Sequence, residues 1–469
     1  MHSTVSTTVL DRLAAIVGAA YVLVGDDVAA IDPGWHTDNL GAGVVVSPAS
    51  TEQVAAVVRV CHDHGVSVVP QAGRTGLVGG STSAPGQIVL SLLRINQIEP
   101  INATDRVAVV GAGCTLESLQ IATSLVGLEP GIDLAARGSA TIGGMVSTNA
   151  GGVMAFRNGV MRHRVLGLEA VLPDGSVFCD LTKVVKNSAG YDLKHLLIGA
   201  EGTLGVVTRV VVQLDPVPAA TATALFALPS VAAALDLIRT ALDAESGHLR
   251  AAEALWRNYI TLTSEALGWS AAATGIELEQ PIFLILSLGG NRDDLLLDAF
   301  GRLFDEILTR HPSVTGVVAT SARQASELWR LREDTDILYR ANPGAPSYDV
   351  SVPLSQIDDY VTTVQAGLAA IDPGLQPYIF GHLADGNLHI VFNRPGPFAP
   401  ALTTAVEDVL YRHLRSLGGS FSAEHGVGSK RIEAMIDTTD STKFTLMQRI
   451  KSTLDPSDMM NPGKVLPHE

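Results

Sequence analysis

Pro70-Gln71-Ala72-Gly73-Arg74-Thr75-Gly76-Leu77-Val78-Gly79-Gly80-Ser81 follows directly on the apolar run Val66–Val69. The run reads as a β-strand. Glycines at 73, 76, 79 and 80 then let the backbone turn its N–H groups inward, as close approach to a diphosphate requires. The spacing matches neither the GxGxxG fingerprint nor the Walker loop, so neither a nicotinamide site nor an ATPase loop is indicated. On its own the stretch reads either as a phosphate cradle or as a tight turn.

Two more glycine loops favour the cradle. Gly138-Ser139-Ala140-Thr141-Ile142-Gly143-Gly144-Met145-Val146-Ser147-Thr148-Asn149-Ala150-Gly151-Gly152 mixes glycine with hydroxyl and amide groups that hydrogen-bond phosphate and ring edges. Gly199-Ala200-Glu201-Gly202-Thr203-Leu204-Gly205-Val206 enters a strand expected from Val206 to Leu214. Upstream, Val44–Val46 reads as a strand and Ser50–His64 as a helix. Ser-Thr-Glu-Gln opens that helix, and Val54, Val57, Val58 and Cys61 share one face.

The 469 residues suffice for two or three domains with a large core. With 46% hydrophobic and 17% charged residues the chain is a packed globular protein. A net charge of −16 argues against nucleic-acid partners and against an anionic membrane surface. Cys61, Cys114 and Cys179 form no CxxC pair, which points to a reducing compartment. The apolar stretch Leu13–Gly25 is short of the roughly 20 residues a bilayer span needs. It reads as a helix running into a strand, so the protein is expected not to be integral to a membrane. The expected setting is the cytoplasm, or a matrix-like interior.

Pro216-Val217-Pro218 marks a domain boundary. Three parts follow: 1–215, 216–410 and a C-terminal segment 411–469. Ala219–Val318 reads as strand, helix and strand again, with one long helix around Ala325–Tyr339 and strands near 348–352 and 377–392. The fold class expected is α+β.

Tyr378-Ile379-Phe380-Gly381-His382-Leu383-Ala384-Asp385-Gly386-Asn387-Leu388-His389-Ile390-Val391 carries a hairpin signal, Asp385-Gly386 between apolar runs. A two-residue turn there places His382 opposite His389, with Cβ atoms about 4.5–5.5 Å apart, close enough to share a metal ion. Ser422-Ala423-Glu424-His425-Gly426-Val427-Gly428 offers a carboxylate ligand and a histidine base side by side. A histidine's ordinary pKa near about 6.5 suits a base at neutral pH. The other reading is a stacked core pair beside a surface charge.

Together the glycine loops resemble those of flavoproteins of the vanillyl-alcohol oxidase superfamily, in the branch with the FAD-linked oxidase C-terminal domain. That branch includes D-lactate dehydrogenases, the glycolate oxidase D subunit and D-2-hydroxyglutarate dehydrogenase. The resemblance covers about residues 40–215 and 325–466. It implies a PCMH-type FAD-binding domain of two α+β subdomains, plus an α+β substrate-binding cap with an antiparallel sheet. It places the FAD diphosphate on Gly73, Arg74, Thr75, Gly76, Gly79, Gly80 and Ser81. The flavin ring falls near Thr141, Gly143, Gly144, Ser147 and Asn149, and near Glu201, Gly202 and Val206. Asn461, in the turn Asn461-Pro462-Gly463-Lys464, returns an amide to the flavin. Covalently flavinylated members often use His or Cys in the first loop; Arg74 stands here, so non-covalent FAD is expected.

The resemblance further implies a divalent metal, zinc or manganese, on His382, His389 and Glu424, with His425 as the base. Two imidazoles and a carboxylate leave an open position, as catalytic zinc requires. Substrate contacts fall on Arg332, His382 and Asn387. Arg330 and Arg332, two apart on a helix, cannot point the same way, and the family pattern selects Arg332. Hydroxyglutarate-oxidising members tend to carry lysine just before the Tyr-Asp pair, whereas Ser347 precedes Tyr348-Asp349 here.

The function expected is therefore FAD-dependent, metal-assisted oxidation of a D-2-hydroxy acid of hydroxyglutarate, lactate, malate or glycolate type. An electron-transfer flavoprotein or a quinone would take the electrons, and a homodimer is allowed. The rivals are a flavin oxidase of another alcohol, a metallohydrolase and a non-catalytic flavin subunit of a larger oxidase.

Overall fold

The computed structural model describes residues 5–243 and 247–468. They form two compact units, one from 5–152, 158–217 and 424–468, the other from 153–157 and 218–423. The chain thus leaves the first unit near Val217, within the Pro-Val-Pro segment, and re-enters it at Glu424.

The first unit carries two four-stranded sheets. Strands β1 (Val22–Val24), β2 (Val44–Val46), β3 (Val68–Gln71) and β4 (Ile88–Ser91) take the order β1-β2-β4-β3, with β4 parallel to β2 and β3. Next come β5 (Val107–Gly111), β6 (Leu128–Glu129), β7 (Val165–Val171), β8 (Val177–Asp180), β9 (Val206–Gln213) and β10 (Asp215–Pro216). Of these, β5-β9-β7-β8 make an antiparallel sheet and β6 pairs with β10.

Local chemistry explains the first helix after β2. It spans Thr51–Asp63: Ser50 Oγ accepts from Gln53 N (3.3 Å), and Gln53 Oε1 accepts from Ala49 N (2.8 Å). Val54, Val57, Val58 and Cys61 are fully buried and pack on β3 and β4 through Val68, Ile88 and Leu90. The N-terminal apolar stretch is a helix, Thr7–Val17, leading into β1. No helix among the described residues is long and apolar enough to cross a membrane. All three cysteines are free.

The second unit is built on β11 (Ala220–Leu228), β12 (His248–Trp256), β13 (Ile282–Gly290), β14 (Thr315–Val318), β15 (Ser347–Ser351), β16 (Tyr378–His382) and β17 (Asn387–Val391). Their order is β14-β11-β13-β12-β16-β17-β15, antiparallel throughout, as the α+β reading expects. On one face Leu225, Leu255, Phe283, Ile285 and Phe380 pack against Tyr259 and Ile260 of the helix Arg257–Leu267. Leu328 and Leu331 of the helix Ala322–Glu333 complete that core.

Two expectations are corrected. The long helix near 325–339 is two helices, Ala322–Glu333 and Asp336–Ala341. Asp334 leaves helical geometry (ψ 59°), and its carboxylate lies 3.8 Å from Arg330 and 3.7 Å from Arg340.

The hairpin register also differs: Phe380, not His382, faces His389, and the connection is four residues long. Pairing with neighbouring strands outweighs the tight turn. Leu383 N donates to Ala252 O of β12 (3.0 Å), and Val352 N, just past β15, donates to Gly386 O (3.0 Å). Asn387 N closes the loop on Asp385 Oδ1 (3.2 Å).

Substitutions in these elements should rank by burial. Phe283→Ala, at a fully buried position, should destabilise the second unit by about 3–5 kcal/mol. Ser50→Ala should destabilise the first by about 1 kcal/mol. Urea unfolding followed by tryptophan fluorescence and circular dichroism checks both, and equal effects would contradict this packing.

Candidate functional site

In the first unit the predicted glycine loops are tied together by two side chains. Asn461 Nδ2 donates to Gly80 O (2.9 Å) and to Glu201 O (2.7 Å). The Glu201 carboxylate, buried, accepts from Val427 N (2.7 Å) and Gly428 N (2.9 Å). Burial raises its carboxyl above the ordinary range, opposed by those two N–H groups. Ser147 O accepts from Glu201 N (2.8 Å), which joins the second loop to the third.

Close backbone approach explains the glycines. A Cβ on Gly73 would lie 2.0 Å from Ser139 O, and one on Gly428 (φ +53°) 2.2 Å from Val78 O. Gly79 and Gly202 also have positive φ. Gly76, in the same loop, faces open space.

Seven non-glycine described residues have positive φ, and Arg74, Asn149, Glu201 and Asn461 are four of them. Such strain concentrates at functional sites.

Other members of the predicted set serve the loops themselves. Thr141 Oγ1 accepts from Gly144 N (3.3 Å), and Ser147 Oγ donates to Gly143 O (2.8 Å). Asn149 Oδ1 accepts from Arg162 N (2.9 Å), Ser81 O accepts from Gln71 Nε2 (2.6 Å), and Val206 begins β9 opposite Val171. Thr75 is half-buried beside Arg74.

A cofactor carrying phosphate and amide groups fits this cradle. Arg74 Nε and Asn461 Oδ1, a donor and an acceptor, are buried without a hydrogen-bond partner among the described residues. Glu424 also belongs to this unit, where its Oε1 accepts from Gly152 N (2.7 Å). His425 is half-buried in the same loop.

In the second unit the pleat gathers a polar group on one face. His382 and His389 lie diagonally, with ring centroids 5.4 Å apart, planes at 82° and one nitrogen of each within 4.8 Å of the other. Across β12, His382 pairs with Glu253, and across β15, His389 pairs with Asp349. Asn387, two residues before His389, shares the face. Its Nδ2 donates to Val350 O (3.1 Å), and its Oδ1 is buried without a described partner.

Arg332 completes the group. With Leu328 and Leu331 it turns inward on its helix, whereas Arg330 stays exposed. Its guanidinium carbon lies 4.8 Å from the Phe380 ring centroid, and that ring is 5.2 Å from His389.

Glu253 and Asp349, both fully buried, are what sequence reasoning missed. Glu253 Oε1 accepts from His382 Nδ1 (2.7 Å), and its Oε2 lies 2.8 Å from Arg332 Nε. Burial alone would raise its carboxyl, but the adjacent His382 and Arg332 prevail and hold it below the ordinary range. Asp349 Oδ2 accepts from Ala423 N (2.9 Å), the residue directly before Glu424. The available signal was a single carboxylate within each of two short apolar stretches, Ala251-Ala252-Glu253-Ala254-Leu255 and Tyr348-Asp349-Val350.

Known proteins match the chain along most of its length. Residues 217–465 match "FAD linked oxidases, C-terminal domain", and residues 42–179 match "FAD binding domain". The Bos taurus protein "D-2-hydroxyglutarate dehydrogenase, mitochondrial" is 35% identical over 90% of this chain and 77% of its own length. "D-2-hydroxyglutarate dehydrogenase" of Xanthomonas citri pv. viticola is 37% identical over 90% of this chain and 88% of its own. Among solved structures, p-cresol methylhydroxylase with substrate bound superposes with a TM-score of 0.76 at 16% identity, covering 98% of this chain and 96% of that one, which shows the shared fold. By these matches over both of its parts, the chain belongs to the family of FAD linked oxidases.

Proposed function

We infer that this protein is a FAD-dependent dehydrogenase that oxidises a D-2-hydroxy acid to its 2-oxo acid, and we propose that a divalent cation on His382, His389 and Glu424 assists it. Family membership and the names of the relatives support the reaction class. One observation carries the proposed chemistry: two imidazoles on one sheet face meet a guanidinium turned inward from the covering helix, the groups needed to grip a hydroxyl and a carboxylate.

FAD would be held by the 73–81 loop, the 141–149 and 201–206 loops and Asn461, without a covalent bond; when bound, it supplies the acceptor for the two electrons removed from the substrate. The cation, zinc by its ligand types with manganese as the alternative, would lower the pKa of the substrate hydroxyl.

The chain's own residues do the rest. The terminal guanidinium nitrogens of Arg332 pair with the substrate carboxylate, since its Nε faces Glu253. Asn387 Oδ1 offers one acceptor to the substrate, and His425 takes the hydroxyl proton. A separate acceptor, an electron-transfer flavoprotein or a quinone, takes the electrons on, in a cytoplasmic setting.

The relatives' names make D-2-hydroxyglutarate the first acid to test. Ser347 weighs against it: its hydroxyl is hydrogen-bonded to Tyr339, and no cation stands there to hold a second carboxylate. Anaerobic mixing with D-2-hydroxyglutarate, D-lactate, D-malate and glycolate should bleach the flavin band with at least one acid. A band that none of them bleaches would overturn the reaction class.

Chelation of divalent metal should abolish substrate-driven bleaching and leave the flavin band in place; full activity after chelation would remove the metal from the reading. His425→Ala should slow flavin reduction by about 10²–10⁴-fold with FAD still bound, and unchanged stopped-flow rates would reject it as the base. Asn461→Ala, which removes both bridging hydrogen bonds, should lower FAD retained through gel filtration; unchanged retention would contradict the tie described above.

A further inference from the structure

Glu253 is, with Asp349, a fully buried carboxylate on the site-bearing face, and the chemistry proposed above makes no use of it. Its strand reads Leu-Arg-Ala-Ala-Glu-Ala-Leu-Trp from 249 to 256, and its neighbours across the sheet are Ile285 on β13 and His382 on β16. A carboxylate in such surroundings is strongly unfavourable unless both oxygens are matched. Here they meet two different site groups: Oε1 accepts from His382 Nδ1 at 2.7 Å, and Oε2 forms an ion pair with Arg332, 2.8 Å from its Nε, without an aligned hydrogen bond.

The first contact selects a tautomer. An ionised carboxylate only accepts, so the shared proton sits on Nδ1 of His382 and the lone pair of the neutral ring lies on Nε2. The second contact selects a direction. Nε of Arg332 lies 2.8 Å from Glu253 Oε2 and its guanidinium carbon 4.8 Å from the Phe380 ring centroid, so the group is confined between a carboxylate and a ring. A planar guanidinium confined in this way has few directions left for its terminal nitrogens.

We propose that Glu253 is a positioning residue that presents His382 to a divalent cation through Nε2 and at the same time aims Arg332 at the substrate carboxylate. The proposal rests on the metal reading above. It goes further by assigning one buried side chain to both halves of substrate capture. Hydrogen-bond acceptors behind metal-ligating histidines typically tune affinity by about 10–100-fold.

The test uses the full-length, FAD-loaded protein and two variants. Glu253→Gln keeps the shape, removes the charge and can turn an NH2 toward His382. Glu253→Asp keeps the charge opposite Arg332 but withdraws the acceptor from the ring, so it separates charge balance from aim. The first readout is Zn2+ affinity, by competition with a chromogenic chelator; the second is the visible spectrum of the Co2+-loaded protein. Both variants should bind Zn2+ about 10–100-fold more weakly, with shifted Co2+ bands and an unchanged FAD content.

Wild-type Zn2+ affinity in either folded variant would overturn the proposal, even if that variant melts earlier, because a purely structural role moves stability and not metal affinity. If Glu253→Gln does not fold, Glu253→Asp decides alone. His382→Ala separates the two failures. Loss of Zn2+ binding in that variant keeps the metal reading whatever Glu253 does, whereas wild-type binding there overturns the metal reading and this proposal with it.

Discussion

The pleat of the seven-stranded antiparallel sheet is the constraint on which the second unit depends. Side chains alternate between faces with a period of two, so the register of four strands decides which residues meet. Glu253 on β12, Phe380 and His382 on β16, Asn387 and His389 on β17 and Asp349 on β15 share one face through the pairs Glu253–His382, Phe380–His389 and Asp349–His389. Further along, that face is apolar: Leu225, Leu255, Phe283 and Ile285 pack beneath two helices. Core and chemistry therefore occupy one surface. The helix that covers the core delivers Arg332, because Leu328, Leu331 and Arg332 fall on one stripe.

The first unit meets a different constraint, that of bringing loops together without leaving backbone groups unmatched. Its answer is to spend side chains on backbone. The Asn461 amide and the Glu201 carboxylate bind groups from three separate segments. Their own backbones sit at φ +46° and +50°, an arrangement that ordinary residues hold only when their surroundings compel it. Asn tolerates that region better than most residues, and Glu does not, so the burden on Glu201 is the larger.

Much of this was legible in the sequence. The helix 51–63 and its buried face followed from period and cap residues, and the glycine loops marked themselves by composition. The opposite facing of Arg330 and Arg332 followed from helical geometry. What escaped were effects of distant pairing. The Asp385-Gly386 signal predicts a two-residue turn, yet hydrogen bonds to Ala252 and from Val352 draw Leu383 and Gly386 away from each other. The register moved by two residues, an even number, so His382 and His389 kept a common face while ceasing to be directly opposed. A shift of one would have separated them. Glu253 escaped for a related reason: its partners lie 79 and 129 positions away in the chain, and no local pattern announces them.

The two buried glutamates show why residue type alone could not have revealed these roles. Both are almost fully removed from water, and burial by itself would raise both carboxyls. Glu201 is matched mainly by two backbone N–H dipoles, and burial prevails: its carboxyl stays above the ordinary range. Glu253 is matched by a guanidinium and an imidazole, and these prevail over burial: its carboxyl is held below that range. At Glu201 the two amides fix where the carboxylate sits, and the buried Arg431 and Lys464 add a smaller charge attraction. At Glu253 the partners are side chains, and removing the carboxylate would leave Arg332 a buried cation without its counter-charge and take the acceptor from His382 Nδ1. The first arrangement is a clamp for loops; the second sets the direction of two side chains at once.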